Sequence, residues 1–476
     1  MRSPSQPIAV QKWSVMAAVA TGVFLSTIDG SIVNVALPTL ARELRAPFAA
    51  VQWVVLAYLF VLVSLMMVAG RLADVYGKKK LYVAGFVIFT VGSLLCGLSP
   101  TVTALVASRV VQGVGASLLM ALGAAIVTEV FPLEERGRAM GIIGMMVSIG
   151  LVSGPTLGGV ILGSFRWHAI FFVNLPLGIV GTLLVLRVVP SHLTASRQSF
   201  DIRGAVLLFV ALLSFLLAVT LGPHGHFPKL ALVLLGLVAV IGFFYFVRTE
   251  MRTKHPLVDL GMFRNSQLVT NVVTGVLVFV ASAGLVFLLP FFLQNVQGRT
   301  PREAGMLLIT GPLMIGLTAP ISGWLSDIIG TRILAVVGLC VLVVAYGLVS
   351  TLSANSGTVA YIVRVAWVGF GMGIFQSPNN SAIMGSVPRD RLGVASGLLS
   401  LARTLGQTTG VAMVGALWAA LVRLHASPLL DVTHAPVDTQ LKALKWVTRI
   451  LAVIVCIALS IAVTSWIRLR RHGVGQ

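Results

Sequence analysis

The sequence predicts an all-α membrane protein with fourteen transmembrane helices, arranged as two pseudo-symmetric six-helix bundles plus two inserted helices. Of 476 residues, 57% are hydrophobic and only 10% are charged, whereas a soluble domain carries about 25% charged residues. Fourteen apolar runs are long enough to cross a bilayer, which takes about 20 residues. Runs of this length indicate helices, since backbone groups in lipid must be hydrogen-bonded within the segment.

The predicted spans follow one another along the chain with polar connections between them. They lie at 13–37, 50–69, 80–98, 103–127, 139–162, 167–188, 203–222, 229–248, 267–293, 303–325, 332–352, 359–383, 392–420 and 447–468. The first run is long and contains Asp29, which is unlike a cleaved signal peptide, so we expect an uncleaved first helix. The longest polar connection is predicted at 421–446 on the outer side.

Lys and Arg indicate the orientation of the chain. They are concentrated at 78–80, 136–138, 248–264 and 468–471, in connections that share one side when both termini are placed in the cytoplasm. This distribution follows the positive-inside rule. The net charge of +20 therefore indicates membrane orientation, and no nucleic-acid partner is expected.

A charged turn occurs once in each half of the chain. Residues 70–80 read GRLADVYGKKK, and a weaker copy, GWLSDIIGTR, begins 253 residues later at Gly323. This offset maps the first span onto the ninth, so the repeat predicts a bundle at 1–188, two inserted helices with linkers at 189–266, and a second bundle at 267–476.

Asp29 is the sharpest functional signal. An ionisable residue within a span is costly unless it has a partner, water or a function. Counting helical rise places Asp29 roughly 13 Å and Arg109 roughly 10 Å from the outer ends of spans 1 and 4. The two charges are therefore at matching depth, and they indicate either a proton-coupling site or a structural salt bridge.

The fifth span has closely spaced small residues. It reads GLVSGPTLGG at 150–159, in which Gly150, Gly154, Gly158 and Gly159 permit close helix packing and Pro155 bends the helix. Packing alone would explain this pattern.

Together these motifs resemble those of a known family. The 70–80 turn resembles the signature loop of the major facilitator superfamily, and the 150–159 element looks like the one that marks its exporters. With IDGSIVNVALP at 28–38 and fourteen spans, the chain is similar to the fourteen-spanner drug:proton antiporters. The resemblance implies alternating access, with spans 1 and 4 lining the cavity, so that changing hydration of Asp29 and Arg109 could change proton affinity.

Two further groups of residues are predicted to act in transport. A cytoplasmic latch is expected to comprise Gly70, Asp74, Gly77, Lys78, Glu129, Arg138 and Asp327. Candidates for the substrate cavity are Asn34, Trp53, Tyr58, Gln112, Phe287, Phe291, Gln294, Phe375, Gln376 and Asn379, although packing could explain any one of them.

The expected substrates are lipophilic monocations or neutral compounds. The repeat places Ser282 opposite Asp29, and no deep Asp or Glu follows in the second half. Some relatives that export dications carry extra carboxylates there. The remaining deep charges, Arg364 and Arg403, are positive, so divalent cations should be handled poorly.

The sequence thus favours a proton-coupled exporter of hydrophobic small molecules in the bacterial cytoplasmic membrane, acting as a monomer. Transport of a metabolite, vitamin or lipid by the same fold stays open, as does a more remote receptor or scaffold role. An enzyme is not expected, because no His lies deep in a span. No cofactor, metal or disulfide is expected, and no phosphate-binding loop of the ATPase type is present.

Overall fold

The computed structural model describes residues 6–132, 135–190, 202–221, 228–253, 260–387, 392–425 and 432–471, and these residues are almost entirely helical. The helices are α1 (Gln6–Glu43), α2 (Phe48–Tyr76), α3 (Lys78–Gly97), α4 (Val102–Val130), α5 (Arg136–Ser164), α6 (Ala169–Phe172), α7 (Asn174–Val188), α8 (Ile202–Leu221), α9 (Lys229–Glu250), α10 (Ser266–Phe291), α11 (Pro301–Leu308), α12 (Thr310–Ile329), α13 (Thr331–Val349), α14 (Thr358–Gly385), α15 (Leu392–His425) and α16 (Val437–Arg471). Short 3₁₀ segments lie at Leu260–Arg264 and Val432–His434, and a π-helical turn at Phe292–Val296.

Within the described residues, thirteen helical segments are long and apolar enough to cross a bilayer, and a shorter apolar helix lies at Arg203–Ala218. Two predicted spans each contain one residue outside the assigned helices, Val173 and Ile309, whose backbone dihedrals stay helical. The sixth consists of α6 and α7, and the tenth consists of α11 and α12.

The predicted connection at 421–446 is wrong in extent. Helix α15 continues to His425, and α16 begins at Val437, ten residues before the predicted span. Pro436 precedes the first turn of α16 and Asp438 lies within it, two features that favour a helix start. Leu444 and Val447 are buried, so this early part of α16 is held by packing.

The chain divides into two compact units. The first comprises Met1–Val33, Trp53–Phe215 and Leu237–Val258, and the second comprises Asn34–Gln52, Leu216–Gly236 and Asp259–Gln476. The C-terminal end of α1, the following turn and the start of α2 thus belong to the second unit. The division predicted from the repeat, at 189 and 266, stays a prediction.

In the first unit, α3 and α4 pack closely through glycines. A Cβ at Gly92 would lie 2.6 Å from the Cα of Gln112, and one at Gly115 would lie 2.3 Å from the backbone nitrogen of Phe89. Contacts this short leave no room for a side chain, so these glycines set the distance between the two helices. A core containing Tyr82, Phe86 and Phe89 surrounds the contact.

In the second unit, α10 packs on α15 and α13 packs on α14 in the same manner. A Cβ at Gly410 would lie 2.3 Å from the carbonyl oxygen of Val280, and one at Gly338 would lie 2.6 Å from the backbone nitrogen of Phe375. Small residues at helix interfaces compensate for the weak hydrophobic driving force between helices in lipid.

Candidate functional site

Asp29 is the centre of a buried polar cluster in the first unit. Its Oδ2 accepts a hydrogen bond from Arg109 Nη1 at 2.5 Å, and both side chains have 0% exposure. Its Oδ1 accepts from Gln112 Nε2 and from Asn174 Nδ2, each at 2.8 Å. Ser93 Oγ accepts from the same two amides, at 2.6 and 3.1 Å. Four helices therefore converge on one carboxylate, which is both ion-paired and hydrogen-bonded.

Arg109 is held in place by groups other than Asp29. Its Nε donates to the carbonyl oxygen of Val54 at 3.0 Å, and Nη1 also donates to Gln112 Oε1 at 2.5 Å. The guanidinium lies 4.2 Å from the ring centroid of Tyr58, a cation–π distance. Burying two charges costs more solvation than their attraction returns unless further hydrogen bonds are made, and these contacts supply them.

Two atoms of the cluster retain unused hydrogen-bonding capacity. Arg109 Nη2 and Asn174 Oδ1 are buried and have no hydrogen-bond partner among the described residues. Almost all buried polar atoms in proteins have a partner. The cluster can therefore bind an additional acceptor at Arg109 Nη2 and an additional donor at Asn174 Oδ1.

Local structure explains how the two amides reach Asp29. Gln112 lies where Gly92 allows the backbone of α4 to approach α3, and this contact brings the neighbouring Ser93 against it. Asn174 is the first residue of α7, and Val173, between α6 and α7, keeps helical dihedrals with φ −62° and ψ −23°. The sixth span thus carries an amide into the buried cluster around Asp29.

The small residues of α5 pack directly on the segment of α1 that follows Asp29. A Cβ at Gly154 would lie 1.8 Å from Ser31 Oγ, and one at Gly158 would lie 2.9 Å from Ile32. Ser31 Oγ also donates to the carbonyl oxygen of Gly150 at 2.9 Å. The two helices run parallel and in register here, so α5 fixes the position of the helix that carries Asp29.

Three residues predicted to line the cavity lie in the second unit around the 34–52 segment. Phe287 and Phe291 make edge contacts with Phe48, at 5.8 and 5.2 Å between centroids. Gln294, in the π-helical turn, donates to the carbonyl oxygen of Val35 at 2.9 Å. A π-helical turn often marks a functional position, and here it directs a buried glutamine to the C-terminal part of α1.

The other predicted cavity residues are dispersed. Tyr58 and Gln112 belong to the Asp29 cluster. Phe375 is buried at the α13–α14 contact, and Asn379 is buried next to Gly275. The remaining three are only partly buried: Asn34, Trp53 and Gln376.

Comparison with known proteins agrees with this architecture. Residues 19–411 match the sequence model of the Major Facilitator Superfamily. The chain belongs to the Major Facilitator Superfamily. It is therefore a transporter and not an enzyme, and it is an integral membrane protein.

Two relatives and one solved structure illustrate the range of the superfamily. The chain is 37% identical over 410 residues to the riboflavin transporter RibZ of Clostridioides difficile, covering 86% of this chain and 89% of that protein. It is 34% identical over 417 residues to the multidrug resistance protein Stp of Mycobacterium tuberculosis, covering 87% and 78%. A bacterial homologue of the human lysosomal transporter Spinster, in an inward-facing, unoccupied conformation, matches with a TM-score of 0.68 at 16% identity, covering 96% and 97%.

The charged turns of this superfamily member contain two glycines that the backbone requires. Gly77 and Gly330 adopt φ values of 93° and 94°, which side-chain-bearing residues rarely adopt. Gly70 differs, because no described atom lies within 4 Å of a Cβ placed there.

Ion pairs lie at the same ends of the helices. Lys78 pairs with Glu129, at the end of α4, and Lys12 pairs with Glu135 at 2.6 Å. The second pair was not expected from the sequence. The side chains of three predicted latch residues lie outside the described set: Asp74, Arg138 and Asp327.

Asn174 and Ser93 are the site residues that the sequence did not reveal. Both belong to types that occur often in transmembrane helices as packing or hydrogen-bonding residues. The available signal was depth, because Ser93, like Asp29 and Arg109, lies in the half of its span that the predicted orientation places outward.

Proposed function

We propose that the protein is a proton-coupled secondary exporter of hydrophobic small molecules, working by alternating access. The observation that supports it most strongly is the Asp29–Arg109 pair, which is completely buried and bonded to two amides. Ionisable groups within membrane spans commonly form substrate or proton pathways. Several relatives with multidrug resistance names, Stp among them, agree with export.

In the proposed cycle, Asp29 exchanges a proton while Arg109 exchanges partners. When Asp29 is ionised, Arg109, Gln112 and Asn174 hold the carboxylate. When a proton from the outside binds Asp29, the carboxylate loses its negative charge. Arg109 then becomes free to bind water or substrate. Arg109 Nη2 and Asn174 Oδ1 supply the additional contacts. Substrate leaving outward and a proton released inward complete one exchange.

The α1–α5 contact and the charged turns have supporting roles in this proposal. Gly150, Gly154, Gly158 and Gly159 hold α5 against α1, so that α1 moves as part of a rigid pair. The Lys78–Glu129 pair, together with Gly70, Asp74, Gly77, Arg138 and Asp327, forms the latch that stabilises one conformation.

The proposed substrates are lipophilic compounds that carry at most one positive charge. Asp29 already accepts three hydrogen bonds, and no second deep carboxylate is found among the described residues of the second half. A dication would therefore have no pair of free carboxylates. The second candidate is a vitamin or other metabolite, which the 37% identity to a riboflavin transporter favours.

We further propose fourteen spans in two six-helix bundles with two inserted helices, and a monomer in the bacterial cytoplasmic membrane with both termini inside. The short apolar helix at Arg203–Ala218 supplies the fourteenth span. The basic clusters at 78–80, 136–138 and 468–471 support this orientation.

Transport in proteoliposomes with an imposed pH gradient tests the proposal. Wild-type protein should move a lipophilic substrate against its gradient only when the proton gradient is present. Asp29→Asn, which retains the shape of the side chain, should fold and should lose gradient-driven transport. Full active transport by Asp29→Asn would refute the assignment, and failure of this variant to fold would instead support a structural salt bridge.

A further inference from the structure

A second strip of polar side chains lies in the second unit, separate from the Asp29 cluster. Asn271, Gly275 and Phe279 follow at four-residue spacing on α10, which places them on one face, about 6 Å apart along the axis. Asn379 of α14 lies beside Gly275, where a Cβ would be 3.2 Å from its Nδ2. Arg403 of α15 lies beside Phe279, with its guanidinium carbon 5.5 Å from the ring centroid. Three helices thus bring an arginine and two amides to one strip.

Each of these three polar side chains has a buried atom without a partner. Arg403 Nε, Asn271 Nδ2 and Asn379 Oδ1 make no hydrogen bond with the described residues, and Asn379 is only 2% exposed. Leaving such atoms unsatisfied is unfavourable, so a cluster of three calls for an explanation. Two of the three atoms are donors, and one donor carries a positive charge.

Arg403 also lacks a counter-charge. No salt bridge from a described carboxylate reaches it, in contrast to Arg109, which is paired with Asp29. The described acidic side chains Glu303 and Asp438 lie in the first turns of α11 and α16. Arg403 lies eleven residues into α15, about 16 Å along its axis. Arg403 is partly buried as a whole, but its Nε is buried and unbonded, which is costly for a cation unless an anion or a dipole reaches it.

We infer that this strip is a subsite for an anionic oxygen of the substrate, such as a carboxylate or an ionised phenol or imide. Arg403 and the amide nitrogen of Asn271 donate to that oxygen, since charge-assisted hydrogen bonds of arginine suit such groups. Phe279 contacts an attached aromatic ring, and Asn379 Oδ1 accepts from a neighbouring hydroxyl or N–H group. This inference rests on the proposed transport function and narrows its substrates: acidic aromatic compounds rank above lipophilic monocations.

Equilibrium binding without a proton gradient tests the subsite separately from transport. Three fluorescent probes of similar size differ only in their head group: pyrenebutyrate, pyrenebutanol and pyrenebutyl-trimethylammonium. The full-length protein in detergent should bind the carboxylate at least tenfold more tightly than the ammonium compound. Arg403→Gln should weaken carboxylate binding about tenfold, the effect of one charge-assisted hydrogen bond, and leave the alcohol unchanged. Arg403→Lys should retain the preference.

Arg364→Gln is the matched control, because this arginine is also on a membrane helix but already donates to Thr351 Oγ1 and to the carbonyl oxygen of Ala360. It should leave all three affinities unchanged. Asn271→Ala, which removes the second donor, should lower carboxylate affinity severalfold and provides the test if Arg403→Gln does not fold.

The possible outcomes separate the subsite from the proposed function. Equal weakening of all three probes by Arg403→Gln, or no preference for the carboxylate in wild type, would overturn the subsite even if gradient-driven export is observed. A carboxylate preference that depends on Arg403 would support the subsite even if no proton-driven export is found.

Discussion

The contact between α5 and α1 gives a prediction whose size follows from the structure. An alanine at position 154 would place its Cβ 1.8 Å from Ser31 Oγ, 2.8 Å from Ser31 Cβ and 3.0 Å from the backbone nitrogen of Ile32. One of these neighbours is backbone and cannot rotate away, so the helices must separate. Overpacking of this kind costs about 1–3 kcal/mol. Because Asp29 lies less than one turn from Ser31, the same displacement should reduce transport.

Gly144→Ala is the matched control for Gly154→Ala. Gly144 is on the same helix, and no described atom lies within 4 Å of a Cβ placed there. Alanine should therefore be neutral or stabilising at 144, by up to about 1 kcal/mol from helix propensity. Thermal unfolding of both purified variants in detergent provides the comparison, and Ser31→Gly should partly rescue Gly154→Ala. Equal melting temperatures and equal transport for the two alanine variants would refute the close contact.

Three further predictions concern the cluster, the latch and the substrates. Asn174→Ala removes a hydrogen bond to the Asp29 carboxylate, worth about 1.5–3 kcal/mol for a charged partner, and should alter the pH profile of transport; an unchanged profile would exclude Asn174 from the coupling site. Glu129→Gln breaks the pair with Lys78 and should slow turnover while substrate binding, measured by fluorescence quenching, persists; loss of binding in a folded variant would contradict a latch. A monovalent quaternary ammonium compound should leave vesicles faster than a divalent one of similar size, and equal or faster efflux of the dication would reveal carboxylates not identified in the structure.

The sequence predicted the helical membrane architecture, because apolar runs, charged turns and the repeat are all local or periodic signals. It also predicted that Asp29 and Arg109 lie at the same depth, and the structure pairs them directly. It did not predict Asn174, because periodicity does not distinguish a single amide within an apolar span from a packing residue, and its partner Asp29 lies 145 residues away in the sequence.

The ends of the helices were also not fully predictable from local sequence signals. The segment after 421 is polar in composition, yet α16 begins at Val437 because Leu444 and Val447 pack in the core. Likewise, Gln112 was predicted from the sequence to line the cavity. In the structure, α3 and α4 approach closely at Gly92, and the side chain of Gln112 donates a hydrogen bond to Asp29. Tertiary contacts thus determined both where α16 begins and which residue Gln112 binds.

Proton release on substrate binding tests the central claim most directly. A substrate identified in the vesicle screen is added to purified protein in weakly buffered detergent solution, and a pH-sensitive dye reports the protons released. If Asp29 exchanges its proton for substrate, wild-type protein should release protons on binding, and Asp29→Asn should bind substrate without release. Equal proton release by wild type and Asp29→Asn would contradict the role of Asp29 as the coupling carboxylate.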